Sequence, residues 1–204
     1  MIANNASGTR TVYYGSTKDY VLKLTVVLAS GETLEMGRRV AKTSSGYDLP
    51  HLFVGSEGTL GIVVKATLRL VGLPEEFSAA VVTFPSVAAA GKTVSEIVRY
   101  GLNPAALELM DSSCIELFNK EKSLGLEISP TLFIEFHGPS VGYLSEIMGM
   151  AEEICKENGS LAFTPGLGRD ERNRLFEARH ELGEMITRNH TDCRVQVIDV
   201  AVPI

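Results

Sequence analysis

The sequence contains no C-x-x-C pair. Its three cysteines, Cys114, Cys155 and Cys193, stand far apart and are odd in number. That pattern suggests neither a zinc site nor a disulfide framework, and it fits a reducing compartment. No apolar run approaches the ~20 residues that a membrane-spanning helix requires. The opening "MIANNASGTR" lacks the basic-then-apolar order of a secretory leader. A cytoplasmic setting is therefore expected. There is no basic stripe either: 19 Lys and Arg stand against 25 Asp and Glu, for a formal net charge of −6. Arg38-Arg39 is isolated, and Arg169, Arg172, Arg174 and Arg179 are interleaved with acids, which argues against a protein that tracks a nucleic-acid backbone. His51, His137 and His190 are scattered without metal-ligand spacing, and only His137, at a strand end, draws attention. No internal repeat, low-complexity stretch or G-x-G-x-x-G with an acid ~20 residues on is present.

What is present is a profile of a soluble globular protein, with 45% apolar and 22% charged residues. A length of 204 residues holds one large domain or two small ones. "YVLKLTVVLASGETLEMG" reads as a hairpin, with strands over 20–28 and 33–36 and a turn at Ser30-Gly31. From Val64 onward the pattern alternates, with Val64, Ala66, Leu68 and Leu70 on one face and Lys65, Thr67 and Arg69 on the other. "GLPEE" is the candidate boundary, separating 1–74 from 75–204. After it strands and helices alternate: a strand in "SAAVVTF", a helix over 87–100, a strand in "AALELMD", and a helix in "SSCIELFNKEK". A strand in "PTLFIEFHG" follows, then a helix capped by Ser140 with the stripe Leu144, Ile147, Ala151 and Ile154. "SLAFTP" supplies a fourth strand, and 170–189 a long helix. This order predicts an α+β fold of ferredoxin-like kind, with helices on one face of an antiparallel sheet.

Two stretches offer backbone N–H groups. "NNASG" (4–8) sets small polar residues beside a glycine, and "GSEGTLG" (55–61) repeats glycine every third residue. Without a Cβ an amide approaches an anion closely, and a helix starting at such a loop adds a favourable dipole. Each is equally readable as a tight turn. In the last helix Leu175, Arg179, Leu182 and Ile186 recur at spacings 4, 3, 4, flanked by Phe176 and Met185, so a guanidinium lies in an apolar stripe. Burying an unpaired charge is costly. Either Arg179 pairs with a carboxylate such as Glu108 or Glu135, or its fork binds a substrate carboxylate. His180, about 100° around the helix, reads as a surface histidine.

"MIANNASGTRTVYYGSTKDYVLKLTVVLASGE" followed by "KTSSGYDLPHLFVGSEGTLGIVVKATLRLVGLPE" resembles the second half of the flavin-binding, PCMH-type domain of the vanillyl-alcohol-oxidase-type flavoproteins. Within these it is most similar to the FAD-dependent D-2-hydroxyacid dehydrogenases, the branch of the D-lactate dehydrogenases and glycolate oxidases. Residues 75–204 resemble the first part of that family's ferredoxin-like substrate (cap) domain through "PTLFIEFHG", "LFEARHE" and "VIDVAVPI". The resemblance implies that Asn5, Ala6, Ser7 and Gly8 lie along the FAD pyrophosphate. It implies that Glu57, Gly58, Thr59, Gly61 and Ile62 wrap the cofactor with main-chain contacts, although Ile62 is also readable as strand core and Thr59 as a turn hydroxyl. Lys42 and Tyr47 lie between the loops and are expected to be a solvated lysine and a packed tyrosine. By the same resemblance Arg179 takes the carboxylate of a D-2-hydroxyacid, and Asp199 matches a family acid with a structural role.

The family's first glycine-rich pyrophosphate loop and its later H-G-D-G-N-x-H motif have no match here. The chain therefore reads as a central fragment, either a truncated reading frame or an expressed piece. Its catalytic histidines are expected beyond residue 204, and no metal site is expected within it. By itself it is expected to be inactive, to bind FAD weakly or not at all, and to self-associate through exposed apolar surface or strand edges. A complete enzyme could be peripheral to a membrane. Two other readings stand beside this one: an aryl-alcohol or ether-lipid flavoenzyme of the same superfamily, and a non-catalytic scaffold or subunit completed by a partner chain.

Overall fold

Apolar alternation in "VLKLTVV" produces a central strand that pairs on both sides. The computed structural model describes residues 1–40, 42, 44–165, 169–196, 198 and 200. They fall into two compact units, Met1–Leu73 and Pro74–Ile204.

The first unit runs α1 (Thr11–Tyr14), a 3₁₀ turn (Thr17–Tyr20), β1 (Val21–Val27), β2 (Thr33–Gly37), α2 (Leu49–Phe53) and β3 (Ile62–Leu68). The sheet order is β2-β1-β3 with both pairings antiparallel. Leu24 faces Met36 and Val26 faces Leu34 across the hairpin, and these side chains pack with Val21, Phe53 and Val54 into a small core. The turn is closed by the Gly31 amide donating to the Leu28 carbonyl at 2.9 Å. The face of β3 expected from alternation is not a core face. Val64 is 58% and Leu68 49% exposed, while Val63 and Thr67 are the half-buried positions. A register shift interrupts the pairing there: Thr25 pairs with Lys65 and Val26 with Val63, so Val64 has no partner.

The second unit contains β4 (Glu76–Thr83), α3 (Val87–Arg99), β5 (Ala106–Met110), α4 (Ser112–Lys122), β6 (Thr131–Gly138), α5 (Val141–Glu157), β7 (Ala162–Pro165) and α6 (Arg169–Asn189). Three of its helices open on a side-chain cap. Ser86 accepts from the Ala89 amide, Asp111 from Cys114 and Ser140 from Tyr143, each cap being worth about 1 kcal/mol. The strands pair antiparallel in the order β5-β6-β4-β7. Counted within the unit this is second, third, first, fourth, the ferredoxin-like order, with α4 in place of the usual tight turn between the second and third strands.

The helices are not confined to one face. Because side chains alternate along a strand, Ala80, Val82, Leu132, Ile134 and Phe136 meet α3 and α5. Val81 and Phe133 on the opposite face meet α4 and α6 through Ile115, Phe118 and Met185. Fully buried Phe84, Phe118 and Phe136 contribute about 2–3 kcal/mol each by leaving water. In α5 the buried residues are Leu144, Met148, Ala151, Ile154 and Cys155. Met148 therefore fills the place the stripe gave to Ile147, which is half-buried. No described helix is long and apolar enough to cross a membrane.

Candidate functional site

The first unit brings the two glycine loops together. The Gly55 amide donates to the Ile2 carbonyl at 3.0 Å, and the Glu57 amide donates to the Ala3 carbonyl at 2.8 Å. The N-terminal loop is a turn in which the Ala6 amide donates to Met1 at 3.0 Å, with Asn5 at φ 45°, a conformation that asparagine tolerates. It is anchored to the 3₁₀ turn. The Lys18 amide donates to Asn5 Oδ1 at 2.9 Å, and the Thr17 hydroxyl to the Ala6 carbonyl at 2.7 Å. Gly8 donates its amide to Thr11 Oγ1 at 2.8 Å.

The second loop follows the C-terminal end of α2, which begins at an Asp48 cap with Pro50 in its first turn. Among the described residues the loop leads into β3 and starts no helix, so "GSEGTLG" gains no dipole from a helix that it opens. The chain turns through Gly55 at φ 81°, Glu57 at 50° and Gly58 at 81°. Thr59 is a turn residue, its amide and hydroxyl both donating to the Ser56 carbonyl, at 2.9 and 2.6 Å. Ile62 is 62% exposed, so the strand-core reading of it fails.

The glycines separate by cause. A Cβ on Gly61 would lie 2.6 Å from Val26 Cγ1 and 2.8 Å from the Val27 carbonyl oxygen, at φ 156°; strand packing alone demands glycine there. A Cβ on Gly8 would meet nothing within 4 Å. Among the described residues, the amides of Ser7 and Gly58 have no partner within the chain. Open space at one glycine and unspent amides in both loops are the features by which backbone holds an anion, so these residues fit the pyrophosphate of a dinucleotide.

His51, in α2, ties the loops' supports together. Its Nδ1 faces the Asp48 carboxylate and its Nε2 the Lys18 carbonyl at 2.7 Å. Burial lowers its pKa, but the Asp48 and Lys18 acceptors outweigh this and leave it raised. Asp19 is held below the usual carboxylate range, chiefly by the Ser16 amide donating to it at 2.7 Å. Lys42 is exposed as expected, but Tyr47 is 95% exposed and packs against nothing that would cover it.

In the second unit Arg179 lies on α6, and its Nε donates to Glu108 Oε2 on β5 at 2.8 Å. Of the two carboxylates offered by the sequence, Glu108 is therefore the one that Arg179 meets. Glu108 pairs across the sheet with Phe133, and together with Met110, Phe176 and Arg179 these residues line a shallow surface depression open to solvent. The Arg179 side chain is 40% exposed and that of Glu108 19%. Among the described side chains of α6, Met185 is the fully buried one, while Leu182 and Ile186 are half-buried, and His180 is exposed. The side chain of Leu175 and the whole of Asp199 lie outside the described residues.

Glu135, two positions along β6 from Phe133, is 0% exposed, and its Oε1 meets His137 Nε2 at 2.5 Å. The histidine stands out in the sequence, whereas its carboxylate partner does not. A signal for the pair exists nonetheless: a single acid in an otherwise apolar strand, two residues away and hence on the same face. Among the described residues no group of three or more His, Cys, Asp or Glu is placed to hold a metal ion.

The family described as "FAD linked oxidases, C-terminal domain" matches residues 73–204. The chain belongs to the FAD-linked oxidases. It is 43% identical over 207 residues to a "Probable D-lactate dehydrogenase, mitochondrial" of Danio rerio, an alignment spanning 100% of this chain and 41% of that protein. It is 37% identical to the "Glycolate oxidase subunit GlcD" of Bacillus subtilis (strain 168), over 92% of this chain and 40% of the other. The chain thus spans about two fifths of the length of these curated relatives. Among solved structures, an alkyldihydroxyacetonephosphate synthase superposes with a TM-score of 0.71 at 21% identity, covering 94% of this chain and 36% of that one. That likeness shows the fold of this FAD-linked oxidase chain.

Proposed function

We propose that this FAD-linked oxidase chain forms part of a flavoprotein that oxidises a small D-2-hydroxyacid of lactate or glycolate type. In this reading residues 1–74 supply the second half of the flavin-binding domain, and residues 75–204 the first part of the substrate domain. The observation that carries it is the pair of main-chain hydrogen bonds joining the loops, Gly55 to Ile2 and Glu57 to Ala3, with the Ser7 and Gly58 amides left for a ligand. Asn5, Ala6, Ser7 and Gly8 would hold the pyrophosphate side of FAD, and Glu57, Gly58, Thr59, Gly61 and Ile62 would lie along it. FAD, when bound, supplies the acceptor for the hydride lost from the substrate's α-carbon.

Arg179 orients the substrate through its carboxylate, a positioning role that lowers the entropic cost of reaction. Similarity to lactate and glycolate enzymes across nearly the whole chain favours a hydroxyacid over an aryl alcohol or an ether lipid.

Titration of the ¹⁵N-labelled chain with FAD tests the flavin half of this reading. The Ser7 and Gly58 amide resonances are expected to move, and Gly8→Ala to diminish the response. Shifts at millimolar FAD that are confined to the second unit, or that Gly8→Ala leaves unchanged, would overturn it.

A further inference from the structure

We infer that His51 is a pH-sensitive latch on the two paired loops. With both ring nitrogens protonated it ties α2 to the 3₁₀ turn that anchors the first loop, and the proton it gives up is the one that makes this tie. The bearing of the latch on flavin rests on the reading of these loops as a flavin-binding site.

His51 joins two supports that lie 33 residues apart in the chain. From α2 the chain runs into the glycine loop, where the Gly55 amide donates to the Ile2 carbonyl. Opposite it, Lys18 serves both sides of the 3₁₀ turn. The Lys18 carbonyl faces His51 Nε2 at 2.7 Å, and the Lys18 amide donates to Asn5 Oδ1 at 2.9 Å. Thr17 adds its amide and hydroxyl, both donating to the Ala6 carbonyl, at 3.1 and 2.7 Å. The turn is braced by the Ser16 amide donating to Asp19 Oδ2 at 2.7 Å and the Asp19 amide donating to the Ser16 carbonyl at 3.1 Å. A displacement of Lys18 is therefore passed on to Asn5 and Ala6.

A neutral imidazole has one N–H, and here two acceptors compete for it. Nδ1 faces the Asp48 carboxylate, whereas Nε2 faces a carbonyl that already accepts the Val21 amide. A hydrogen bond to an ionised acceptor is roughly twice as strong as one between neutral groups, so the remaining proton stays on Nδ1. Deprotonation then sets the bare Nε2 lone pair against the Lys18 carbonyl oxygen, and the two repel. Asp48 beside the ring and Asp19 on the 3₁₀ turn are the charges that act on it. On the strands that α2 packs against, Lys23 and Glu35 pair with each other. The ring is 41% exposed, so the proton passes to water. The tie is complete below the ordinary histidine value of about 6.5 and is lost as pH rises through the raised value of the folded chain.

The ¹⁵N-labelled chain tests the latch without bound flavin, between about pH 5.5 and about pH 8.5 at constant ionic strength. Ring ¹⁵N shifts of His51 report the tautomer, and the Asn5, Ala6 and Lys18 amides report the loop. The neutral ring is expected to carry its proton on Nδ1, and the three amides to titrate with the midpoint of the ring. His51→Gln offers a permanent N–H donor toward Lys18, and is expected to abolish this titration and keep the loop in its low-pH position. Asp48→Asn keeps a helix cap and removes the charge that holds the proton on Nδ1. Its amide N–H can donate to the bare Nδ1, so the neutral ring is expected to carry its proton on Nε2 and the loop to stop following pH. A wild-type neutral ring protonated on Nε2 overturns the latch. Loop amides that move with another midpoint, or that titrate equally in His51→Gln, do the same.

Millimolar FAD separates the latch from the flavin reading. The dissociation constant read at the Ser7 and Gly58 amides is expected to rise by about threefold to tenfold across this pH range, the scale of one hydrogen bond, and to stay constant in His51→Gln. A wild-type affinity that does not change with pH overturns the link between latch and flavin. FAD shifts confined to the second unit overturn the flavin reading and leave the latch standing.

Discussion

The amide of Glu57 donates to the carbonyl of Ala3 at 2.8 Å, locking the glycine loop after α2 onto the turn at the chain's start. Glu57 makes this bond from a left-handed conformation, φ 50°, which costs a residue with a side chain about 1–2 kcal/mol. The surrounding hydrogen bonds, from Gly55 to Ile2 and from Thr59 to Ser56, hold it there. Strain of this kind, retained where two loops join, is typical of sites that present backbone to a ligand.

The glycines of the two loops serve different ends, and substitution separates them. Gly61→Ala places a methyl against Val26 and the Val27 carbonyl and is expected to destabilise the first unit by about 2 kcal/mol or more, whether or not flavin is present. Gly8→Ala fills open space and is expected to change stability by less than about 0.5 kcal/mol while weakening FAD binding. Urea unfolding and flavin fluorescence measure the two effects. Equal destabilisation by both substitutions would remove the distinction.

Much of this was legible in the sequence, for reasons that lie in particular residues. The α4 span follows from "SSCIELFNKEK", and Ser140 marks the start of α5 by capping it, whereas Asp111, read as the end of a strand, is the cap of α4. The ferredoxin-like strand order followed from the alternation of strands and helices, whereas register was not legible, since it depends on pairing between distant segments. Alternation from Val64 onward suggested a single apolar face, but the register shift beside Thr25 is invisible without β1. Likewise Glu108 and Glu135 were equal candidates for Arg179, and the sheet's register decides between them. The two-sided coverage of the second sheet had a signal in the sequence that the one-sided expectation passed over: β4 and β6 carry apolar residues on both faces, which coverage by helices on one side would not need.

The two acceptors around His51 predict how stability depends on pH. Both of its ring nitrogens face acceptors, the Asp48 carboxylate and the Lys18 carbonyl, an arrangement that suits the doubly protonated ring. Burial pulls its pKa down, and these acceptors more than reverse that. A histidine whose folded-state pKa exceeds the unfolded value, about 6.5, stabilises fully below that value and loses the contribution as pH rises through the folded one. Hydrogen exchange at the Leu24 and Val26 amides is therefore expected to show a less stable first unit at pH 8 than at pH 6, after correction for intrinsic exchange. His51→Gln should flatten this dependence. An unchanged slope in the variant would assign the pH effect elsewhere.

Met185 anchors α6, and with it Arg179, to the sheet. It is fully buried against Val81, Phe133, Ile115 and Phe118. Met185→Ala removes those contacts and leaves a cavity, with an expected loss of about 2–5 kcal/mol in urea unfolding. Ile186→Ala, at a half-buried position, should cost clearly less. Similar costs for both would mean that the helix packs by a different face.

The outward row of β3 bears on self-association. Ile62, Val64 and Leu68 are 62%, 58% and 49% exposed, and β3 is an edge strand with β1 on one side. An apolar row on an open edge combines two liabilities, since main-chain groups and side chains both gain by pairing with another copy. Natural edges are often protected by lysine, because a charge desolvated between two strands opposes pairing. The weight-average mass of the wild-type chain is therefore expected to rise with concentration in sedimentation equilibrium, and a Val64→Lys, Leu68→Lys double variant is expected to stay monomeric. Both positions are exposed, so the variant's unfolding midpoint should shift little, which separates loss of association from loss of fold. A wild-type chain that remains a single monomeric species over the whole concentration range would rule out this edge as an association surface.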